Sequence, residues 1–466
     1  MITCFVALIS EKSIEKIIEC RKGVLLISVF VFFSAILQAQ SDNDSLSENI
    51  TLQDCINYAL ENNPSVQIST LDQEITTRNI RHALSGWYPQ ITASADLQHY
   101  IKQPVSIFPN LTNPSVPERL ITIGVANTST LTLSANQNLY TTGLLFASKT
   151  AKNMHKLAYE NTESVKINLI VNVSIAFFGV LLAEEQLNII NEDVFRLRQD
   201  YENAYSLFKE GLTNLIDYKQ ALISLNNALA QRKNAEETIL ANYAYLKEQI
   251  GYPVEKKLNI TYDTDALLGS VMVDTSIILV YDNRIEYKIL QTNMRLQHSQ
   301  IGYYKWLFLP SFSAFINYNL VYQNDTLSHL YRRDFPNSQV GITFSFPLFQ
   351  GTAKWQYYQR ARVQYKQLEL SAVNLKNQIN TEYIQAISDY KGNLKTLNTS
   401  DENVKLATEI YNTVKYQYEK GIVSYLEVIV AEASLRDSQL NFLNSLFTVL
   451  VSKVNLDKAL GEIKVK

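Results

Sequence analysis

The sequence predicts a mainly α-helical protein with a transmembrane β-barrel, built from a module that occurs twice. Three observations support this fold class. The same landmarks recur in both halves, two tracts of over a hundred residues lack proline, and four stretches of about ten residues alternate apolar with polar side chains. Each module is expected to contain one pair of strands followed by a very long helical hairpin.

The duplication is visible in landmarks that recur in the same order. Residues 208–212 match residues 418–422, and in each half a second glycine follows the first after 40 residues. The glycines that match, first half and then second, are Gly143 with Gly351, Gly211 with Gly421, and Gly251 with Gly461. A repeated unit of roughly 200 residues is far longer than a solenoid repeat, so it indicates a duplicated domain-scale module.

The proline-free tracts predict unusually long helices. Proline inside a helix costs about 3 kcal/mol, and apolar residues recur in these tracts every three or four positions. A helix of about 70 residues spans roughly 100 Å, and we expect each to turn back at Gly211 or Gly421. The return limbs are shorter, so helices at 65–84 and 282–307 are expected to stack on their ends.

The alternating stretches predict four strands, at about 91–97, 131–139, 312–322 and 340–348. A proline-rich stretch at 104–117 and residues 324–336 are predicted to be the loops within the two pairs. Ten residues is about what a tilted strand needs to cross a bilayer. Four strands cannot close a barrel, so several copies must share one. Two copies give eight strands and a filled interior, and three give twelve and an open one.

The domain organisation follows from these elements. Residues 1–39 resemble a secretory signal peptide, because a short apolar run at 24–37 follows Arg21 and Lys22 and ends near Ala39; a single membrane anchor is the alternative. The remaining predicted segments are N-terminal helices at 40–90, a first strand pair at 91–140, a first hairpin at 141–252, an equatorial linker at 253–280, a helix at 281–308, a second strand pair at 309–349, a second hairpin at 350–461 and a tail at 462–466.

Composition argues against several classes of function. A formal net charge of −3 gives no electrostatic case for nucleic acid. The five histidines are scattered without metal-ligand spacing, and the sequence contains no phosphate-binding loop or nucleophile elbow, so we expect neither enzymatic activity nor a cofactor. Cys55 would be the one cysteine left after signal cleavage, so no disulfide within the chain is expected.

Three motifs resemble the TolC-like outer membrane efflux protein family. They lie at 51–64, at 344–351 and at 418–427, and the resemblance covers about 50–461, in order and duplicated. It implies a trimer with a twelve-stranded barrel in the outer membrane of a Gram-negative bacterium and a helical tunnel in the periplasm. Such a protein is a passive duct for tripartite efflux or type I secretion. An exported coiled-coil structural or adhesive surface protein without a pore is the alternative.

The same resemblance implies partners and candidate site residues. The partners are outer-membrane lipid, a periplasmic adaptor and an inner-membrane pump of the RND or ABC type. The candidate gate at the tunnel entrance consists of Tyr418, Glu427 and Asp217, where Asp217 is the first-half counterpart of Glu427. Val423 and Val430 stand where the family pattern has an arginine and a second aspartate. The candidate adaptor-docking residues at the hairpin tips are Glu210, Gly211, Leu212, Lys420, Gly421 and Ile422.

Overall fold

The computed structural model describes residues 50–108, 119–262 and 277–465, together with 267, 269, 271 and 272. The predicted signal peptide and part of the predicted equatorial linker lie outside the described residues. The helices and strands reported for this structure belong to one compact unit, Thr51–Lys466.

The first module runs from short helices through two long strands into a helical hairpin. Its helices are α1 (Leu52–Asn62), α2 (Pro64–Leu84), α3 (Thr142–Lys209) and α4 (Leu215–Ile250). Its strands are β1 (Gln90–His99), β2 (Val105–Phe108), β3 (Arg119–Thr122) and β4 (Asn127–Tyr140). The outgoing limb α3 has 68 residues and the return limb α4 has 36.

The second module repeats this plan. It contains α5 (Ile285–Trp306), β5 (Ser311–Asn324), β6 (Asp334–Ser345), α6 (Ala353–Glu419) and α7 (Tyr425–Leu460). Its limbs α6 and α7 have 67 and 36 residues, nearly the lengths found in the first module. The predicted class, a duplicated strand pair with a very long helical hairpin, is confirmed.

The two strand pairs form one antiparallel sheet in the order β1-β4-β5-β6. One face is apolar across all four strands, where Ile91, Ala135, Ile316 and Val340 lie opposite one another. The other face is polar and carries the row Thr92, Ser134, Asn317 and Gln339. The period-two pattern of the sequence therefore gives a sheet with two chemically distinct faces.

Three details of the sequence-based prediction are corrected. The proline-rich stretch is not only a loop, because β2 lies within it and pairs with β3, which follows it. The loop predicted at 324–336 is shorter, since β6 begins at Asp334 and includes Pro336. Pro336 is tolerated because β6 is an outer strand of the sheet. The predicted strand at 340–348 ends earlier, at Ser345.

The match of Gly143 with Gly351 is also corrected. Gly143 lies inside the first turn of α3, whereas Gly351 precedes α6 and has a φ of +60°. The equivalent points of the two long helices are their ends at Lys209 and Glu419, which both lead into the tip loops. Residues of α3 and α6 therefore correspond when they are counted back from these ends.

In the first module, α4 is continued by α2. The Asn63 side chain caps α2, and its Nδ2 donates to the carbonyl of Gln249 at 2.7 Å. Gly251 ends α4 with a φ of +72°, and a Cβ there would lie 2.9 Å from the carbonyl oxygen of Asn62. The two helix ends therefore touch, as the stacking prediction required.

The second module has the same junction between α7 and α5. Gly461 ends α7 with a φ of +73°, and a Cβ there would lie 2.9 Å from the backbone of Asn283. Arg284 takes the place of Asn63, and its Nη1 donates to the carbonyl of Ala459 at 3.1 Å. Each module thus places a return limb and a shorter helix end to end beside its outgoing limb.

Apolar contacts bind the hairpins together near their tips. Within the first hairpin, α3 and α4 pack through a cluster formed by Ile190, Val194, Leu197, Leu225 and Ala228. A second cluster joins both hairpins, and its buried members are Ala204, Ala221, Ala407, Tyr411, Tyr425, Val428, Ala431 and Leu435. The long helix α3 also contains a stretch apolar and long enough to cross a membrane, but 56% of that stretch is buried inside the fold, as expected for the centre of a bundle.

Candidate functional site

The two hairpins end in loops of the same geometry, the first tip (210–214) and the second tip (420–424). In the first tip, Gly211 has a φ of +72° and the Leu212 N–H donates to the carbonyl of Leu207 at 2.9 Å. In the second tip, Gly421 has a φ of +73° and the Ile422 N–H donates to the carbonyl of Gln417 at 2.9 Å. A glycine in the left-handed region closes both helices by the same backbone hydrogen bonds.

The first tip carries a side-chain cap that the second does not repeat. Asn214 Oδ1 accepts from the N–H groups of Ile216 and Asp217 at 2.9 and 3.0 Å. The corresponding residue of the second tip, Ser424, occupies the N-cap of α7 without a side-chain cap hydrogen bond. Since an N-cap stabilises a helix start by about 1 kcal/mol, the first tip is the more firmly fixed of the two.

Apolar side chains are exposed at both tips. Leu212 is 71% exposed and Ile422 is 69% exposed, and the charged neighbours Glu210 and Lys420 are exposed as well. Paired apolar side chains with charged rims are typical of surfaces that contact another protein. The predicted docking residues thus include exposed apolar and charged side chains at both tips.

The structure brings two of the three predicted gate residues near one another. Tyr418 lies at the end of α6, with its ring 5.6 Å from the ring of Tyr425. Burial raises the pKa of Tyr418, and the charges of Asp217 and Asp200 raise it further. Asp217 lies in the first turn of α4 and accepts a hydrogen bond from Thr213 Oγ1 at 2.7 Å.

The third gate residue, Glu427, has a different setting. It lies in the first turn of α7 and is exposed. A negative charge there is favoured by the positive end of the helix dipole, so its position alone has an ordinary structural explanation. The counterpart relationship between Glu427 and Asp217 holds in the fold, because both occupy the first turn of a return limb.

Sequence reasoning missed a group of buried charges that connects the two hairpins. Arg196 on α3 donates from Nε to Glu432 on α7 at 3.0 Å and from Nη2 to Asp193 at 3.3 Å. Arg436 on α7 reaches back to Asp193 with an Nη1–Oδ2 distance of 3.5 Å. One sequence pattern could have indicated this group. On both α3 and α7 an acidic and a basic residue are spaced three or four positions apart, among apolar residues that predict burial.

Among the residues that the structure describes, no group of three or more His, Cys, Asp or Glu side chains could hold a metal ion. The one cysteine of the described residues, Cys55, is buried, and burial raises the pKa of its thiol to about 12. A thiol with such a pKa is mostly protonated at neutral pH and therefore a poor nucleophile.

Comparisons with known proteins agree with the architecture. A family model described as outer membrane efflux protein matches residues 55–252 and 290–462. The chain is 20% identical to outer membrane protein TolC of Vibrio cholerae over 433 residues, which cover 88% of this chain and 91% of the relative. It is 23% identical to the cation efflux system protein CusC of Escherichia coli O157:H7, covering 87% and 85%.

Solved structures show the same fold. A crystal structure of CusC aligns with a TM-score of 0.72 at 18% identity and covers 91% of this chain and 95% of that one. The open state of the MtrE outer membrane channel of Neisseria gonorrhoeae aligns with a TM-score of 0.68 at 16% identity, covering 91% and 94%. At these identities the agreement concerns the fold.

A sheet with one apolar and one polar face, continued by helical hairpins about 100 Å long, defines the class of outer-membrane channels with a periplasmic helical tunnel. The chain belongs to the outer membrane efflux protein family, whose model matches most of its length. It is therefore an outer-membrane channel component of an efflux or type I secretion system, and the alternative of a surface protein without a pore is not supported. The family consists of passive channels and not of enzymes.

Proposed function

We propose that three copies of this chain form a passive duct, with a shared twelve-stranded barrel in the outer membrane and a helical tunnel in the periplasm. A periplasmic adaptor and an inner-membrane pump of the RND or ABC type open it, for efflux or for type I secretion. The observation that carries the proposal concerns two contacts between the modules of one chain, β4 with β5 and α3 with α5. Their counterparts under the repeat are the outer edges of β6 and β1 and the exposed apolar faces of α6 and α2, which the described residues of the same chain leave uncovered.

The strands illustrate this relationship. Within the chain, β4 of the first module pairs with β5 of the second, and Leu133 lies opposite Tyr318. Under the repeat, β1 corresponds to β5 and β4 to β6. Leu133 lies opposite Ala93 and Ile342 lies opposite Ala314, so Ile342 corresponds to Leu133. Leu97 and Tyr318, each four residues further along β1 and β5, correspond in the same way. Repeating the contact places Ile342 opposite Leu97 of a second copy. Both residues belong to the apolar face, so the pairing keeps the two faces of the sheet continuous.

The helices support the same arrangement. Within the chain, α5 lies between α3 and α6, whereas its counterpart α2 packs on α3. Counted from the helix starts, Leu71 of α2 corresponds to Thr292 of α5. Thr292 is 0% exposed, but Leu71 is 58% exposed. A second copy that supplies its α6 to α2 would cover Leu71 as the chain itself covers Thr292.

Both surfaces of that contact are apolar. Exposed residues of α2 that lie on one helical face are Ile68, Leu71 and Ile75. Exposed apolar residues along α6 are Val363, Leu370, Val373 and Ile384. Large exposed apolar patches on a folded chain mark contact surfaces, and here a further copy of the chain fits them by the repeat.

The number of copies follows from barrel geometry. Two copies would give eight strands, whose interior is filled by side chains, whereas three give twelve and leave room for a passage. The Thr, Ser, Asn and Gln residues of the polar face would then line a wetted, mostly uncharged lumen. The apolar face would contact outer-membrane lipid.

At the other end, the tips form the entrance. Tyr418, Asp217 and Glu427 are proposed to restrict it, with Glu427 contributing one carboxylate from each copy to a ring. The tip residues Glu210, Gly211, Leu212, Lys420, Gly421 and Ile422 are proposed to contact the adaptor.

Cysteine crosslinking tests the trimer. The variant with Leu97→Cys and Ile342→Cys is oxidised in outer-membrane fractions, and a covalent trimer is expected on denaturing gels. The matched control, Thr92→Cys with Ile342→Cys, places the thiols on opposite faces and should not crosslink. Crosslinked dimers without trimers, or a water-soluble monomer, would overturn the proposal. Buried Cys55 should not interfere.

A further inference from the structure

The buried charged side chains between the hairpins and two tyrosines among them form one connected group, the interhairpin cluster. Its members are Asp193, Arg196 and Asp200 on α3, Tyr411 and Lys415 on α6, and Tyr425, Glu432 and Arg436 on α7. These are the titratable and charged groups that face Glu432 from the three helices. They lie near the tips and share Tyr411 and Tyr425 with the apolar cluster that joins both hairpins.

Because the cluster is buried, its charge state strongly affects the free energy of packing the two hairpins together. Asp193 is 0% exposed and Glu432 is 2% exposed. Ionised groups removed from water lose several kcal/mol of solvation each, which their ion pairs recover only when every oxygen and N–H finds a partner. The cluster therefore favours the protonation state in which the most buried polar atoms are satisfied.

That condition is not met when Glu432 and Asp200 are both ionised. Glu432 binds Arg196 through Oε1, but its Oε2 is buried without a hydrogen-bond partner. Asp200 Oδ2 and the Tyr425 hydroxyl are likewise buried and unpartnered among the described residues. A proton added to either carboxyl group turns one of these unpartnered acceptors into a donor and removes a buried negative charge, because a carboxyl group donates where a carboxylate cannot.

The electrostatics agree with this geometry. Burial raises the pKa of Glu432 to about 7, and the negative charges of Asp200 and Asp193 contribute, while Arg196 opposes the shift. Glu432 binds a proton more tightly in the packed cluster than it would when exposed to solvent. Proton binding therefore stabilises the packed state. That stabilisation is complete below the ordinary pKa of a glutamate and is lost as the pH rises through about 7.

We propose that Glu432 and Asp200 form a proton-binding site, and that the bound proton holds α7 of the second hairpin against α3 of the first. Loss of the proton places a buried, incompletely satisfied negative charge between the hairpins and loosens the contact. The consequence for gating rests on the proposed function, but the proton site itself does not. In a duct, acidic pH would hold the entrance end shut and neutral to alkaline pH would release it.

Distance measurements between the tips test the proposal. Spin labels are placed by Glu210→Cys and Lys420→Cys, in assemblies that also contain an excess of unlabelled chain, so that distances within one chain dominate. Between pH 5 and 8.5 the distance distribution is expected to broaden and lengthen with a midpoint near pH 7. In Glu432→Gln, which is neutral and can donate at every pH, the short distance should persist throughout.

Two further variants make the test specific. Glu192→Gln removes an exposed acid that also contacts Arg196, at 3.8 Å, and should keep the original pH profile. Asp200→Asn removes a charge that raises the pKa of Glu432, so its midpoint should move to lower pH. A pH-independent unmodified chain, a Glu432→Gln variant that responds like it, or an Asp200→Asn variant with an unshifted midpoint would each overturn the proposal. The measurement needs no conductance, so a chain that formed no pore could still support the proton site.

Discussion

Asn63 connects to Gln249 across 186 residues of sequence, with Nδ2 lying 2.7 Å from the carbonyl oxygen at the end of α4. The same amide accepts the Ser65 N–H at 2.8 Å and so caps α2. One side chain therefore hydrogen-bonds a free carbonyl at the end of α4 and a free N–H at the start of α2, where the two helices meet.

Replacing Asn63 by Ala should destabilise the first module. The variant loses an N-cap worth about 1 kcal/mol, and it leaves a partly buried carbonyl unsatisfied at a cost of about 1–3 kcal/mol. The apparent melting temperature of detergent-purified protein is the measurement. Asn62→Ala is the control, because Asn62 donates to Tyr58 within its own helix and should cost less. Equal effects of the two variants would contradict the joint role of Asn63.

The glycines at the helix junctions should be less replaceable than those at the tips. Gly251 and Gly211 both have a φ of +72°, so alanine at either is strained by about 1–2 kcal/mol. At Gly251 the added Cβ would also lie 2.9 Å from backbone, whereas at Gly211 it meets open space. Gly251→Ala should therefore lower the melting temperature well beyond Gly211→Ala. If the two variants melt together, the end-to-end contact does not constrain that glycine.

Removing the Glu427 charge should change ion passage. If three copies place this carboxylate around the entrance, Glu427→Ala is expected to raise the conductance of the purified assembly in planar bilayers and to lower its cation selectivity. Glu402→Gln removes an exposed acid elsewhere on the second hairpin and serves as the control. Unchanged cation selectivity in Glu427→Ala would exclude the ring.

Photocrosslinking at two positions should separate the copy–copy contact from the adaptor contact. A photoreactive residue in place of Ile422 is expected to capture a periplasmic adaptor in cells, because this tip is exposed and apolar. The same residue in place of Leu370 should instead give adducts between copies of this chain. Mass spectrometry identifies both products. Copy–copy adducts alone at Ile422 would place the adaptor contact elsewhere.

Local signals explain why much of the fold could be predicted from sequence. Thr51 and Asp54 form the expected helix start, with each side chain bonded to the other's backbone N–H. The alternation around Ile316 fixes which residues share a face, and the tip glycines fix where the long helices end. Each of these features depends on residues only a few positions apart, so the sequence alone displays them.

The interhairpin cluster could not be predicted in the same way. Asp193 and Arg196 form a pattern that is common on exposed helix faces, and nothing in α3 indicates that α7 lies at the same height. The contact from Arg196 to Glu432 joins residues 236 positions apart. Similarly, Pro336 led to the prediction of a loop. Proline is tolerated on an outer strand, but the order of strands in the sheet could not be predicted from the sequence.

The end-to-end helix junctions also allow the two modules to fold one after the other, because each junction joins residues of one half of the chain. The helices α4 and α2 both lie before Gly251, so both have been synthesised once Gly251 has been added, and α5 and α7 likewise lie within the second half. Each module can therefore form its end-to-end helix pair from residues that have already been translocated, the first module before the second. Export through the inner membrane proceeds from the N-terminus, so the first module can fold while the second is still being exported. Association between separate copies requires both modules and therefore comes last.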